Sequence, residues 1–89
     1  MPEAVIVATH GRDEAALLTA AVRSGAPYVG LIASPARGAG VLTGLDPTDA
    51  ARVVTPAGLD IGADGPSEVA VAILAQAIAE RTRRAQAKT

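Results

Sequence analysis

Residues 4–8 read Ala4-Val5-Ile6-Val7-Ala8, and Thr9-His10-Gly11 follows at once. The run is apolar at five successive positions. A strand with one wet face alternates with a period of two, whereas an unbroken apolar run fits a parallel strand covered on both faces. Outward from it, Asp13 and Glu14 are acids suited to a helix N-terminus. Leu17, Leu18, Ala21 and Val22 then fall on one helical stripe, and Gly25 with Pro27 supplies a C-terminal stop. The spacing predicts a first helix near residues 12–24. Tyr28 to Ala33 reads as a second strand, and Gly30 within it points to a close approach from overhead. Ser34-Pro35 reads as the N-cap and first residue of a second helix, weakened by Gly38, Gly40 and Gly44. Asp46-Pro47 repeats the signal for one short turn through Ala51. Arg52–Thr55 gives a third strand, and residues 56–62 a structured loop. Pro66 opens the last helix, with Gly65 as N-cap and Glu68 at N3, running to about Arg84.

The order β-α-β-α-β-α predicts an α/β fold in three layers, with a short parallel sheet of about three strands. The first two-thirds of the last helix, Val69 to Ile78, are apolar nearly all round, which is the pattern of a helix buried on more than one side. Nothing else in so short a chain is available to cover the second side. Residues 82–89 are expected to fray.

Composition sets the limits. The 89 residues are 49% hydrophobic and 19% charged, with mean hydropathy +0.31, which excludes a disordered polymer and leaves room for one domain spanning 1–89. Tyr28 is the only aromatic residue and roughly a quarter of the chain is alanine, so each core side chain contributes less burial than usual. A chain of this length also buries only about 60–65% of its unfolded surface. Both facts point to a domain that needs cover from a partner or from further chain. The net charge of −1 argues against a nucleic-acid binder. The basic run Arg81, Arg83, Arg84 and Lys88 complements the end of the last helix; docking of an acidic partner is the other reading. The absence of cysteine excludes disulfides, thiolate metal sites and a cysteine nucleophile, and fits a reducing compartment. No run reaches the ~18 apolar residues of a membrane span, and no basic leader precedes the first strand, so a cytoplasmic location is expected.

In open α/β sheets, ligands bind beyond the carboxyl ends of the strands. Three segments converge there: Thr9-His10-Gly11-Arg12, Ser34-Pro35-Ala36-Arg37-Gly38 and Pro56-Ala57-Gly58-Leu59-Asp60. Ser34 at a helix start, with Arg37 one turn in, makes an anion-site candidate; a plain N-cap beside a solvated arginine is the alternative. His10 is the sole histidine. It is a weak metal signal and either contacts a ligand or bonds backbone at the strand end. Asp60 either holds a ligand amine or hydroxyl or bonds loop amides. Gly38-x-Gly40 mimics a dinucleotide fingerprint, but the third glycine position holds Thr43 and the spacing from the strand is wrong. No base is placed beside a nucleophile, and no catalytic residue is assigned.

Two segments carry a family resemblance. One is Val7-Ala8-Thr9-His10 with Asp13, Ala16-Leu17, and Tyr28-Val29-Gly30 leading to Ser34. The other is Pro56-Ala57-Gly58-Leu59-Asp60-Ile61-Gly62 followed by Pro66-x-Glu68-Val69-Ala70-Val71-x-Ile73-Leu74-Ala75. Together they resemble the C-terminal domain of the XdhC/CoxI accessory proteins of xanthine and carbon monoxide dehydrogenases. The chain departs from the pattern at Ala33-Ser34-Pro35, where the family has Gly-Ser-Arg, at Gly65, where it has Thr, and at Gln76, where it has Glu. The Rossmann half that opens the family domain has no counterpart here, so the match is to the second half, a half-Rossmann-like unit.

The resemblance implies a non-catalytic accessory or maturation factor that binds the molybdenum cofactor (molybdopterin) or helps insert it into a molybdenum hydroxylase apo-enzyme. It assigns cofactor binding to Thr9, His10, Ser34, Gly58 and Asp60, and approximately to Arg37. Two alternatives stand: an NAD(P)-binding oxidoreductase remnant, and a scaffold module with no ligand. In the parent order the first strand here would be central, so its edge is open, and pairing of two chains into a homo-oligomer is expected.

Overall fold

The computed structural model describes residues 4–8 and 13–87. The elements run β1 (Ala4–Val7), α1 (Glu14–Arg23), β2 (Tyr28–Leu31), α2 (Pro35–Leu42), α3 (Pro47–Ala50), β3 (Val53–Val54) and α4 (Gly65–Ala87). The three strands form a parallel sheet in the order β1-β2-β3. Ala4 pairs with Tyr28 and Val7 with Leu31 in one register, and Val29 with Val53 in the other. The chain is therefore an α/β unit of the half-Rossmann type. Strands two and three are shorter than the sequence suggests, because the chain leaves the ladder for Ser34 and for the Pro56 loop.

Local chemistry accounts for the element boundaries. The Ser34 hydroxyl accepts from the Arg37 N–H at 3.3 Å, and Pro35 occupies the first turn, where its missing N–H is harmless. Asp46 does the same for α3 through the Thr48 N–H at 3.0 Å, with Pro47 following. Gly25 sits at φ +86°, the left-handed position that ends α1. At the start of α4 the structure refines the sequence reading: Gly65 lies at φ +78°, and the Glu68 carboxylate reaches past it to accept from the Asp64 N–H at 2.9 Å. The helix continues to Ala87, into the segment expected to fray.

The side-chain period of a strand sorts the two faces. Val7, Val29 and Leu31 point toward α1 and build the core with Leu18, Ala21, Val22, Ala26 and Leu45. Val5 and Val53 extend it. On the other face Tyr28 is 1% exposed and packs beneath α4, where Ala72 and Ile73 are also buried. Gly30 shares that face. A Cβ there would lie 2.9 Å from the Tyr28 ring and 3.0 Å from the Ala57 Cβ, which is the overhead approach its position in the strand signals. The prediction of α4 buried on more than one side is corrected. It packs with one flank, and Val71, Leu74 and Ile78 on the other stay exposed, because among the described residues no second layer lies beyond it.

Candidate functional site

The chain folds back on itself at the carboxyl end of the sheet. The Ile32 N–H donates to the Val7 carbonyl at 2.9 Å, and the Ala57 N–H donates to the Leu31 carbonyl at 3.1 Å. These two bonds carry the ladder past the strand ends and set the loops after β2 and β3 beside the sheet edge. Thr9, His10 and Arg12, the first of the three converging segments, lie outside the described residues.

The loop after β3 forms a cleft of about 450 Å³ against α4, lined by Pro56–Asp60, Gly62, Ala63, Val69 and Ala72. The volume is that of a small-molecule site. Gly58 forms its floor at φ +107°, close enough to α4 that a Cβ would lie 3.4 Å from both Ala72 and Ile73. The Leu59 N–H donates to the Ala72 carbonyl at 3.2 Å, a second tie between loop and helix. Asp60 lines the cleft and its side chain is exposed. Gly58 and Asp60 thus both line this cleft.

The cleft is held from below by one amide. Gln76 Oε1 accepts from the Gly58 N–H at 2.8 Å, and Nε2 donates to the Gly58 carbonyl at 3.2 Å. The Tyr28 hydroxyl donates to the same Oε1 at 2.5 Å. Burial pushes the Tyr28 phenol above its ordinary range, while the Gly58 backbone N–H acts in the opposite direction. In the sequence Gln76 registers only as a departure from a pattern. The readable signal is a lone amide within the apolar run from Val69 to Ile78, since a buried amide needs several partners.

Ser34 and Arg37 stand apart from this cleft. Ser34 is exposed and caps α2. The Arg37 guanidinium is engaged: Nη1 donates to both Glu14 carboxylate oxygens, at 2.6 and 2.9 Å, and Nη2 donates to the Ile32 carbonyl at 3.2 Å. Glu14 is 5% exposed, so Arg37 serves first to neutralise a buried carboxylate and to bind α2 to α1. Sequence spacing gives no sign of a pair 23 residues apart. Among the described residues no cluster of His, Cys, Asp and Glu is arranged to hold a metal ion, and no helix is long and apolar enough to cross a membrane.

Comparison with known proteins gives a consistent result. The XdhC Rossmann domain matches residues 2–77. A protein of Bacillus subtilis (strain 168) described as a probable xanthine dehydrogenase component is 34% identical over 82 residues, covering 91% of this chain and 24% of that protein. The crystal structure of a xanthine dehydrogenase from Bacillus halodurans superposes with a TM-score of 0.76 at 31% identity, covering 97% of this chain and 26% of the other. The chain spans about a quarter of the length of each.

Proposed function

Because the chain belongs to the XdhC family, whose Rossmann domain it matches over residues 2–77, we propose that it is an accessory factor for a molybdenum hydroxylase of the xanthine or carbon monoxide dehydrogenase type. In this reading it acts in the cytoplasm, on the apo-enzyme, by binding rather than by turnover. Its cargo is the molybdenum cofactor, and copies of the chain associate with one another.

The observation that carries the reading is the cleft under the Pro56–Asp60 loop, in a chain whose relatives are described as xanthine dehydrogenase proteins. Molybdopterin offers a flat pterin with ring and amino N–H donors, and a phosphate at its other end. The cleft suits the first: it is walled by small apolar residues and carries the Asp60 carboxylate as an acceptor. The N-terminal turn of α2 at Ser34 suits the second, since helix starts attract anions. Thr9 and His10 complete the proposed set.

Equilibrium binding of molybdopterin, and separately of NAD(P), tests this reading. We expect molybdopterin to bind, and Asp60→Ala to weaken it about tenfold, the worth of a charge-assisted hydrogen bond. Asp60 is exposed, so that variant keeps its fold. Binding of NAD(P) without molybdopterin replaces this reading with the dinucleotide one. Binding of neither leaves an interaction module.

A further inference from the structure

We propose that residues 60–63 form a strap that closes over the occupant of the cleft, with Ile61 as the side chain that covers it. This rests on the reading of the cleft as the cofactor site and adds how that site retains what it binds.

The strap is fixed at both ends and loose between them. Before it, the Leu59 N–H donates to the Ala72 carbonyl at 3.2 Å, and Gln76 holds both backbone polar groups of Gly58. After it, the Asp64 N–H donates to the Glu68 carboxylate at 2.9 Å. Between these anchors the single hydrogen bond among the described residues is local, from the Ile61 N–H to the Leu59 carbonyl at 3.0 Å. It closes a three-residue turn and ties the strap to nothing else. A segment with so few bonds opens and closes easily while its anchors stay on α4.

The pivot lies on the α4 side. Gly62 is at φ +75°, and nothing stands within 4 Å of its Cβ position. Packing therefore does not call for glycine there, but the left-handed backbone does. Gly58, at the other end, has Ala72 and Ile73 at 3.4 Å from its Cβ position, so that end is held against the helix.

Ile61 is 62% exposed. The residues on either side of it, Asp60 and Gly62, both line the cleft, so a rotation within the strap is enough to bring the Ile61 side chain to the mouth. The walls at Ala57, Ala63, Val69 and Ala72 are small and apolar, and a flat ring resting on them keeps one face in water. Ile61 turned inward removes that face, and its own side chain, from solvent. The gain exists only when a ring lies between Ile61 and those walls, which couples closure to binding. Asp60 belongs to the same strap, so closure also shields its hydrogen bond to the ligand and strengthens it.

Stopped-flow association and dissociation of molybdopterin with the full chain test the proposal. Ile61→Ala should raise the dissociation rate about tenfold and leave the association rate within about twofold, because a cover acts after entry. Ile78→Ala, exposed and outside the cleft lining, should change neither. Hydrogen exchange at residues 60–63 should be fast in the free chain and slow at least about tenfold at saturating molybdopterin. Failure of the wild type to bind molybdopterin overturns the cofactor reading and the strap together. Binding in which Ile61→Ala releases at the wild-type rate, or in which exchange at 60–63 is unchanged, overturns the strap alone. An Ile61→Ala effect carried by the association rate assigns Ile61 to the open cleft and overturns closure.

Discussion

The side-chain amide of Gln76 bonds both backbone polar groups of Gly58, accepting at 2.8 Å and donating at 3.2 Å. A side-chain amide supplies the acceptor and the donor that this pairing requires. Gln76→Ala removes both bonds and the Tyr28 hydroxyl's acceptor together. We expect a loss of about 2–3 kcal/mol, with faster hydrogen exchange at Gly58. Gln76→Glu should fall between, since its carboxylate keeps the two donors but cannot donate to the Gly58 carbonyl. Equal stability of Gln76→Ala and wild type in urea melts would remove the amide from its role in holding the cleft.

Tyr28 gives this region a pH dependence and an optical handle. Burial raises its pKa above the ordinary phenol value. A group whose folded pKa lies above its unfolded one contributes stability that is whole below about pH 10 and is lost as pH rises through the folded value. Stability should therefore fall above pH 10, and Tyr28→Phe should flatten that fall. The chain has no other aromatic residue, so phenolate absorbance in native buffer reports Tyr28 alone. A midpoint at or below 10 would contradict this account.

Two arginine–carboxylate pairs should behave unequally. Both carboxylates are buried, the Glu14 side chain 4% and the Asp49 side chain 12% exposed, but Arg37 binds both Glu14 oxygens and is 38% exposed, whereas Arg23 meets one Asp49 oxygen at 3.0 Å and is 66% exposed. Removing the partner of a buried charge costs about 3 kcal/mol or more, and the more exposed, singly bonded Arg23 pair loses part of that to solvent screening. Arg37→Ala should thus destabilise more than Arg23→Ala, as read from denaturation midpoints.

The backbone course was largely readable over residues 4–8 and 13–62. Unbroken apolar runs, Ser34-Pro35, Asp46-Pro47 and Gly25 each impose a local conformation that tertiary packing has no reason to override. Less of the site was readable. Asp60 and Gly58 are neighbours in the chain, so their meeting in one loop follows from order alone. The Arg37–Glu14 pair and the Gln76–Tyr28–Gly58 cluster join residues 18 to 48 positions apart, and only the packing of helices on the sheet sets such distances. The one-sided packing of α4 was hidden for the same reason: an apolar sequence shows what a helix is able to bury, not what lies against it.

Glycine substitutions separate close approach from ordinary helix propensity. Gly38→Ala would put a Cβ 2.6 Å from Thr55 Oγ1, a buried hydroxyl with no hydrogen-bond partner among the described residues. Gly30→Ala would meet the Tyr28 ring at 2.9 Å. Each should cost about 1–3 kcal/mol through forced shifts in packed side chains. Gly40 lies in the same helix as Gly38, yet nothing stands within 4 Å of its Cβ position. There alanine only relieves the glycine penalty, so Gly40→Ala should stabilise by up to about 1 kcal/mol. Thermal melts of the three single variants check this, and a Gly38→Ala variant as stable as Gly40→Ala would show that α2 does not pack on Thr55 as described.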